Sequence, residues 1–292
     1  MRGSAFISRT ALAVLCVAAL SSGASAQQRN FDNVEIKVTK LADNFYELEG
    51  AGGNIGLSVG ADGPMLIDDQ FAPLTDKIKA AVATVTDKPV RLVVNTHHHP
   101  DHTGGNAQWG DMGALIMAQA NVRDHLLAAK QPMPALPVVS LAEDATFHWN
   151  GDDITVHHIP HAHTDGDIAL YFHKADVVHT GDVFRTVSYP RVDSRGGGSM
   201  KGIIDGLDYL VSIGGPNTKY LPGHGVVSSR DDIAAVAKMM HAIWDKVAEA
   251  KGAGMSMGET QAVAITAPYD AKWETEQLTG ATIVGQIYSE LP

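Results

Sequence analysis

The run Thr96-His97-His98-His99-Pro100-Asp101-His102-Thr103-Gly104-Gly105 contains the pattern H-x-H-x-D-H at positions 97, 99, 101 and 102. Neutral imidazole and carboxylate are the nitrogen and oxygen ligands that zinc prefers. One ion takes only three or four protein ligands, so a cluster this dense can serve two adjacent metals. The ordinary alternative for a histidine-rich tract is a tag or a solvated loop. This run is internal, interleaved with Asp101 and closed by Gly104-Gly105, which points to metal binding.

The elements that must hold this loop can be read on either side of it. The apolar run 90–95 before it predicts a buried strand, and residues 73–85 a helix. Alternating segments at 34–38, 45–48, 54–59 and 65–68, separated by Gly52-Gly53 and Asp62-Gly63-Pro64, predict an antiparallel meander. A strand at 114–117, a helix at 118–130 and a Pro-rich loop at 132–137 follow. A second block of strands is expected at 145–149, 152–159, 167–172, 176–180 and 218–221. Helices are expected at 199–213 and 229–251, with two more between 258 and 289. Strands and helices, then strands and helices again, suit an α+β fold of two sheets packed face to face with helices outside.

Residues 1–26 read as a secretory leader. Arg2 and Arg9 precede a short apolar run at 11–20, and Ala24-Ser25-Ala26 is a small-residue cleavage site. A periplasmic or secreted domain over 27–292 is expected, with no membrane anchor after cleavage. Cys16 is the only cysteine, so the domain has neither disulfides nor a thiolate ligand for zinc. The net charge of −11 argues against nucleic acid and for a small-molecule substrate.

Fourteen histidines cannot all be functional. His125 and His241 fall in helical segments and His148, His157, His158 and His173 in strands, where a structural role is the better expectation. His163, Asp182 and His224 differ, because each stands at a predicted strand end followed by turn residues, where functional groups commonly project. His161 and His179 are candidates to stand behind such groups.

With Leu66-Ile67-Asp68, the H-x-H-x-D-H loop, His163, Asp182 and His224 in this order, the chain resembles the metallo-β-lactamase superfamily. The resemblance implies a four-layer αβ/βα sandwich of two mixed sheets with two zinc ions at one sheet edge. It also implies that His97, His99 and His163 bind the first metal, and that Asp101, His102 and His224 bind the second. Asp182 would then bridge both, and Asp68 would orient the ligand loop from behind.

Classical broad-spectrum members carry cysteine at the position of Asp182 and other residues at that of His102. The pair found here is instead that of glyoxalase II, lactonases and general hydrolases. Arg185, three residues after Asp182, matches the basic residue with which the β-lactamase branch grips a substrate carboxylate; a surface arginine is the alternative.

Two zinc ions about 3.5–4 Å apart can share a hydroxide at neutral pH, so carbonyl hydrolysis needs no serine or cysteine. Asp101 would position that nucleophile and shuttle its proton. β-Lactams, and with them antibiotic resistance, are the leading substrate expectation. A lactone or thioester is the close alternative, and a single-iron persulfide dioxygenase the more distant one.

Overall fold

The computed structural model describes Met1 and residues 30–292. Apart from Met1, the expected leader lies outside the described residues. The first sheet contains β1 (Lys37–Ala42), β2 (Phe45–Glu49), β3 (Asn54–Ser58), β4 (Met65–Ile67), β5 (Leu92–Asn95), β6 (Leu115–Gln119) and β7 (Val139–Leu141), in that spatial order. β1 to β4 run antiparallel, and β4 to β7 are parallel. The second sheet has the order β12-β11-β10-β9-β8, from β8 (Ala145–Trp149), β9 (Asp152–His158), β10 (Ile168–Phe172), β11 (Val177–Arg185) and β12 (Lys219–His224). β8 to β11 are antiparallel and β11 with β12 parallel, so both sheets are mixed.

Alternation along the strands makes the layers. Met65 and Ile67 face the second sheet and join Phe45, Val94, Ile154, Leu170 and Phe172 in the central core. Leu66, between them, points the other way and packs with Val93, Ile78 and Trp109 under α1 (Thr75–Ala83), with the short α2 (Pro100–Thr103) and α3 (Asn106–Asp111). α4 (Ala120–Ala128) packs through Val122 and Leu126 beside β6. On the far side, Val178, Val183 and Tyr220 meet α5 (Met200–Ile213) and α6 (Arg230–Gly252). A Ser229–Asp232 capping box starts α6. The result is the four-layer αβ/βα sandwich.

Four details differ from the sequence reading. β1 begins at Lys37, not at 34. β7, α2 and α3 are additional elements. The tail forms three helices, α7 (Met257–Ala262), α8 (Ala267–Trp273) and α9 (Gly280–Glu290), instead of two. β11 continues to Arg185 instead of stopping at 180, because Gly181 adopts φ +52° and takes the register shift as a bulge. Among the described residues, no helix is long and apolar enough to cross a membrane.

Candidate metal centre

The histidine loop leaves the end of β5 and turns into α2. Asn95 donates through Nδ2 to the His102 carbonyl at 2.9 Å and so ties the loop to the strand. His99 is extended, and Pro100 opens the helical turn that carries Asp101 and His102. His163 comes from the β9–β10 loop, Asp182 lies within β11, and His224 ends β12. β11 and β12 are parallel neighbours, so Asp182 and His224 emerge at the same sheet edge. The approach of these two strands requires a glycine: a Cβ on Gly223 would stand 2.1 Å from Asp182 Oδ1.

These seven side chains meet. His99 Nδ1 lies 3.1 Å from His97 Nε2 and 3.0 Å from His163 Nε2. His224 Nε2 is 3.3 Å from Asp101 Oδ2, and His102 Nε2 is 4.0 Å from the same oxygen. Asp182 lies between the two groups. Its Oδ1 is 3.5 Å from His102 Nε2, and its Oδ2 is 3.4 Å from His224 Nε2 and 3.7 Å from His163 Nε2. Among these seven, three overlapping sets have donor atoms within 4.8 Å of one another: His97 with His99 and His163, Asp101 with His102 and His224, and His97 with His102 and Asp182; a further set, His98 with His99 and Asp193, lies behind His99.

Hydrogen bonds behind the ring nitrogens fix which atom faces inward. Thr96 gives its hydroxyl proton to Asp68 Oδ2 at 2.8 Å, so it accepts from His97 Nδ1 at 3.1 Å. His102 Nδ1 donates to Asp68 Oδ2 at 2.7 Å, and His163 Nδ1 to the Arg191 carbonyl at 2.7 Å. His99 uses the opposite nitrogen, its Nε2 donating to Asp193 Oδ2 at 2.9 Å. In the neutral ring each inward nitrogen therefore keeps a lone pair, the condition for ligation.

Charge is arranged to match. Burial, with the neighbouring imidazoles, holds His97 well below its ordinary pKa. Burial also brings His163 down to about 4 against the pull of Asp182. Burial opposes charge on Asp182 and Asp101, but the surrounding histidines prevail. They hold Asp182 well below the carboxylate range and bring Asp101 to about 2. His102 is the exception. Burial disfavours its cation, but Asp68, Asp182 and Asp101 outweigh that and raise it to about 10. His102 Nε2 and Asp182 Oδ1 are both buried without a hydrogen-bond partner. Such atoms are costly unless something pairs with both. A divalent cation among nitrogen and oxygen donors does so, and the donor set fits zinc.

The sequence model of the metallo-beta-lactamase superfamily matches residues 51–224, which include all seven of these side chains. The chain belongs to the metallo-β-lactamase superfamily. Solved structures share its fold. A metallo-beta-lactamase from Pontibacter korlensis superposes with a TM-score of 0.63 at 18% identity, covering 71% of this chain and 99% of that one. The sec-alkylsulfatase Pisa1 from Pseudomonas sp. gives 0.72 at 14% identity, over 87% of this chain and 50% of that one. In sequence, a hydroxyacylglutathione hydrolase from Pelagibacter ubique is 30% identical over 107 residues, 36% of this chain and 41% of the relative. The chain thus matches less than half the length of that curated relative. The superfamily fold is that of metallo-hydrolases.

Asp68 stands behind the site as expected, in left-handed backbone at φ +66°, a geometry an aspartate tolerates. Arg185 is not a solvated surface arginine. Its side chain is 12% exposed, with Nη1 3.9 Å from Asp182 Oδ2. His179 is buried beneath the loop, between Asn54 and Gly181. His161 is elsewhere, bonded to the Gly197 carbonyl. His148, His157 and His241 pair with Asp153, Asp144 and Asp208 away from the centre. His125 departs from its expected ordinary role: it stacks on His98 at 4.0 Å and pairs with Asp165 at 2.8 Å, forming a layer outside the ligand loop. Sequence reasoning missed Asp193 and Thr96. Thr96 adjoins the motif and was open to notice; Asp193, 94 residues from His99, carried no local signal.

Proposed function

We propose that this chain is an exported, zinc-dependent hydrolase of acyl compounds, with a thioester or lactone as its substrate. The observation that carries the reading is Asp182, whose two oxygens face His102 on one side and His163 and His224 on the other. On this reading His97, His99 and His163 would hold one zinc ion, Asp101, His102 and His224 would hold a second, and Asp182 would serve both. Two zinc ions would supply a Lewis acid for the carbonyl and a water whose pKa is lowered to about 7.

The chain's own groups do the rest. Asp101 is ionised, with Oδ2 3.3 Å from His224 Nε2, and takes up the water proton for delivery to the leaving atom. Asp68 holds His102 in the tautomer that ligates. Arg185 binds an anionic group of the substrate from beside Asp182. The leader at 1–26 directs export, and the mature domain comprises 27–292.

The hydroxyacylglutathione hydrolase relative supports a thioester substrate. β-Lactam hydrolysis is the second reading, favoured by the position of Arg185. The test is zinc-loaded protein assayed with an acyl-glutathione thioester, a lactone, nitrocefin and a carbapenem. Turnover of the first or second, abolished by chelation and restored by zinc, is expected. Turnover of nitrocefin or the carbapenem alone transfers the assignment to the second reading. One tightly bound iron without zinc activation overturns both.

A further inference from the structure

A cavity of about 580 Å³ lies beside the metal centre, between the end of β11 and the C-terminal segment 275–286. Arg185 and Arg191 both line it, facing Glu276, Gln277, Thr282 and Gln286. Its size is that of a site for a small organic molecule rather than a single ion.

Two arginines and the charge of the lining mark it as a place for an anion. The Arg185 side chain is nearly buried, its Nε has no hydrogen-bond partner, and its nearest carboxylate oxygen is 3.9 Å away on Asp182. That carboxylate is already shared among three histidines. Arg191 is anchored through its carbonyl, which accepts from His163 Nδ1 at 2.7 Å. Its guanidinium makes no hydrogen bond or ion pair among the described residues. Two guanidiniums set against the single carboxylate of Glu276 leave the lining positive by one, in a chain of net charge −11. Two like charges sharing a wall repel, and a bound anion turns that repulsion into two charge-assisted contacts.

The geometry points to a two-arginine subsite in which Arg191, with Arg185, binds a carboxylate on the acyl part of the substrate, away from the bond that breaks. This deepens the acyl-hydrolase reading and rests on it. The surplus of one positive charge matches a monoanionic group. The tie from Arg191 to His163 sets that group at a fixed reach from the metal centre. Arg191 is thereby assigned as a residue that selects among acyl groups.

The test uses zinc-loaded full-length protein, wild type and Arg191→Ala, with two thioesters of the same thiol. One carries a succinyl group and the other a butanoyl group. Arg191 is exposed and meets His163 only through its backbone carbonyl, so its replacement should leave the fold intact. Arg191→Ala should raise KM for the succinyl thioester about tenfold with kcat unchanged, and leave the butanoyl thioester unaffected. Calorimetric titration with glutarate and with butyrate supplies a reading that needs no turnover. Wild type should bind glutarate about tenfold more tightly than butyrate, and Arg191→Ala should lose most of that difference. If glutarate preference depends on Arg191 but neither thioester is hydrolysed, the thioester reading fails and the subsite stands. If both thioesters are hydrolysed and Arg191→Ala changes neither the KM ratio nor the glutarate preference, the subsite is overturned and the hydrolase reading survives.

Discussion

His102 Nδ1 and Asp68 Oδ2 are joined by a 2.7 Å hydrogen bond with both side chains 1% exposed. Asp68 also accepts from the Thr96 backbone at 2.7 Å and from its hydroxyl at 2.8 Å, so one carboxylate holds both ends of the ligand loop. Asp68→Ala should weaken zinc binding by about 10–100-fold, chiefly at the Asp101–His102–His224 set. Competition with a chromogenic chelator measures it. Unchanged affinity would mean that the loop is held without Asp68.

Zinc-free and zinc-loaded protein should differ in their response to alkaline pH. The folded pKa of His102, about 10, is above its ordinary 6.5. Its contribution to stability is then fully present below pH 6.5 and is lost as pH rises towards 10. Zinc binding requires the neutral ring, which removes this loss. On the acid side, the contribution of Asp101 is present above its ordinary 3.8 and fades as pH falls towards about 2. Buried neutral His163 destabilises the fold as pH falls from 6.5 towards about 4. Melting temperature against pH, with and without zinc, should show an alkaline decline only in the zinc-free protein.

Asp193 fixes the tautomer of His99 from the surface, with its own side chain 28% exposed. Burial raises the Asp193 pKa, but its bond to His99 prevails and brings it to about 2. Asp193→Ala should lower affinity at the His97–His99–His163 set by about 10–100-fold. The melting temperature of the zinc-free protein should change little. Stoichiometric, tightly held zinc in this variant would show that His99 needs no such support.

Gly223→Ala should displace Asp182, because the added Cβ would lie 2.1 Å from Asp182 Oδ1. The crowding should cost about 1–3 kcal/mol. Elemental analysis should find less zinc, and denaturant titration a lower midpoint. Wild-type values for both would mean that β12 can move aside.

Much of this was legible from local pattern. The period-two alternation of Met65, Leu66 and Ile67 sorts side chains between two cores. The H-x-H-x-D-H run puts four donors in one loop, where sequence distance approximates spatial distance. His163, Asp182 and His224 stood out singly at predicted strand ends, but their joint role was recognisable only by their order in a family resemblance, since their mutual spacing has no local meaning.

By itself, then, the sequence determined what depends on neighbours along the chain: the strands, the ligand loop and the donor chemistry. Tertiary structure alone decided that Asp193 supports His99, that β11 runs on past a turn signal at Gly181, and that Arg185 and Arg191 share a cavity with residues 275–286. Hydrogen bonds and charge pairs form wherever the packed sheets and helices bring groups within a few ångströms. Such partners lie tens of residues apart, and no propensity or period records them.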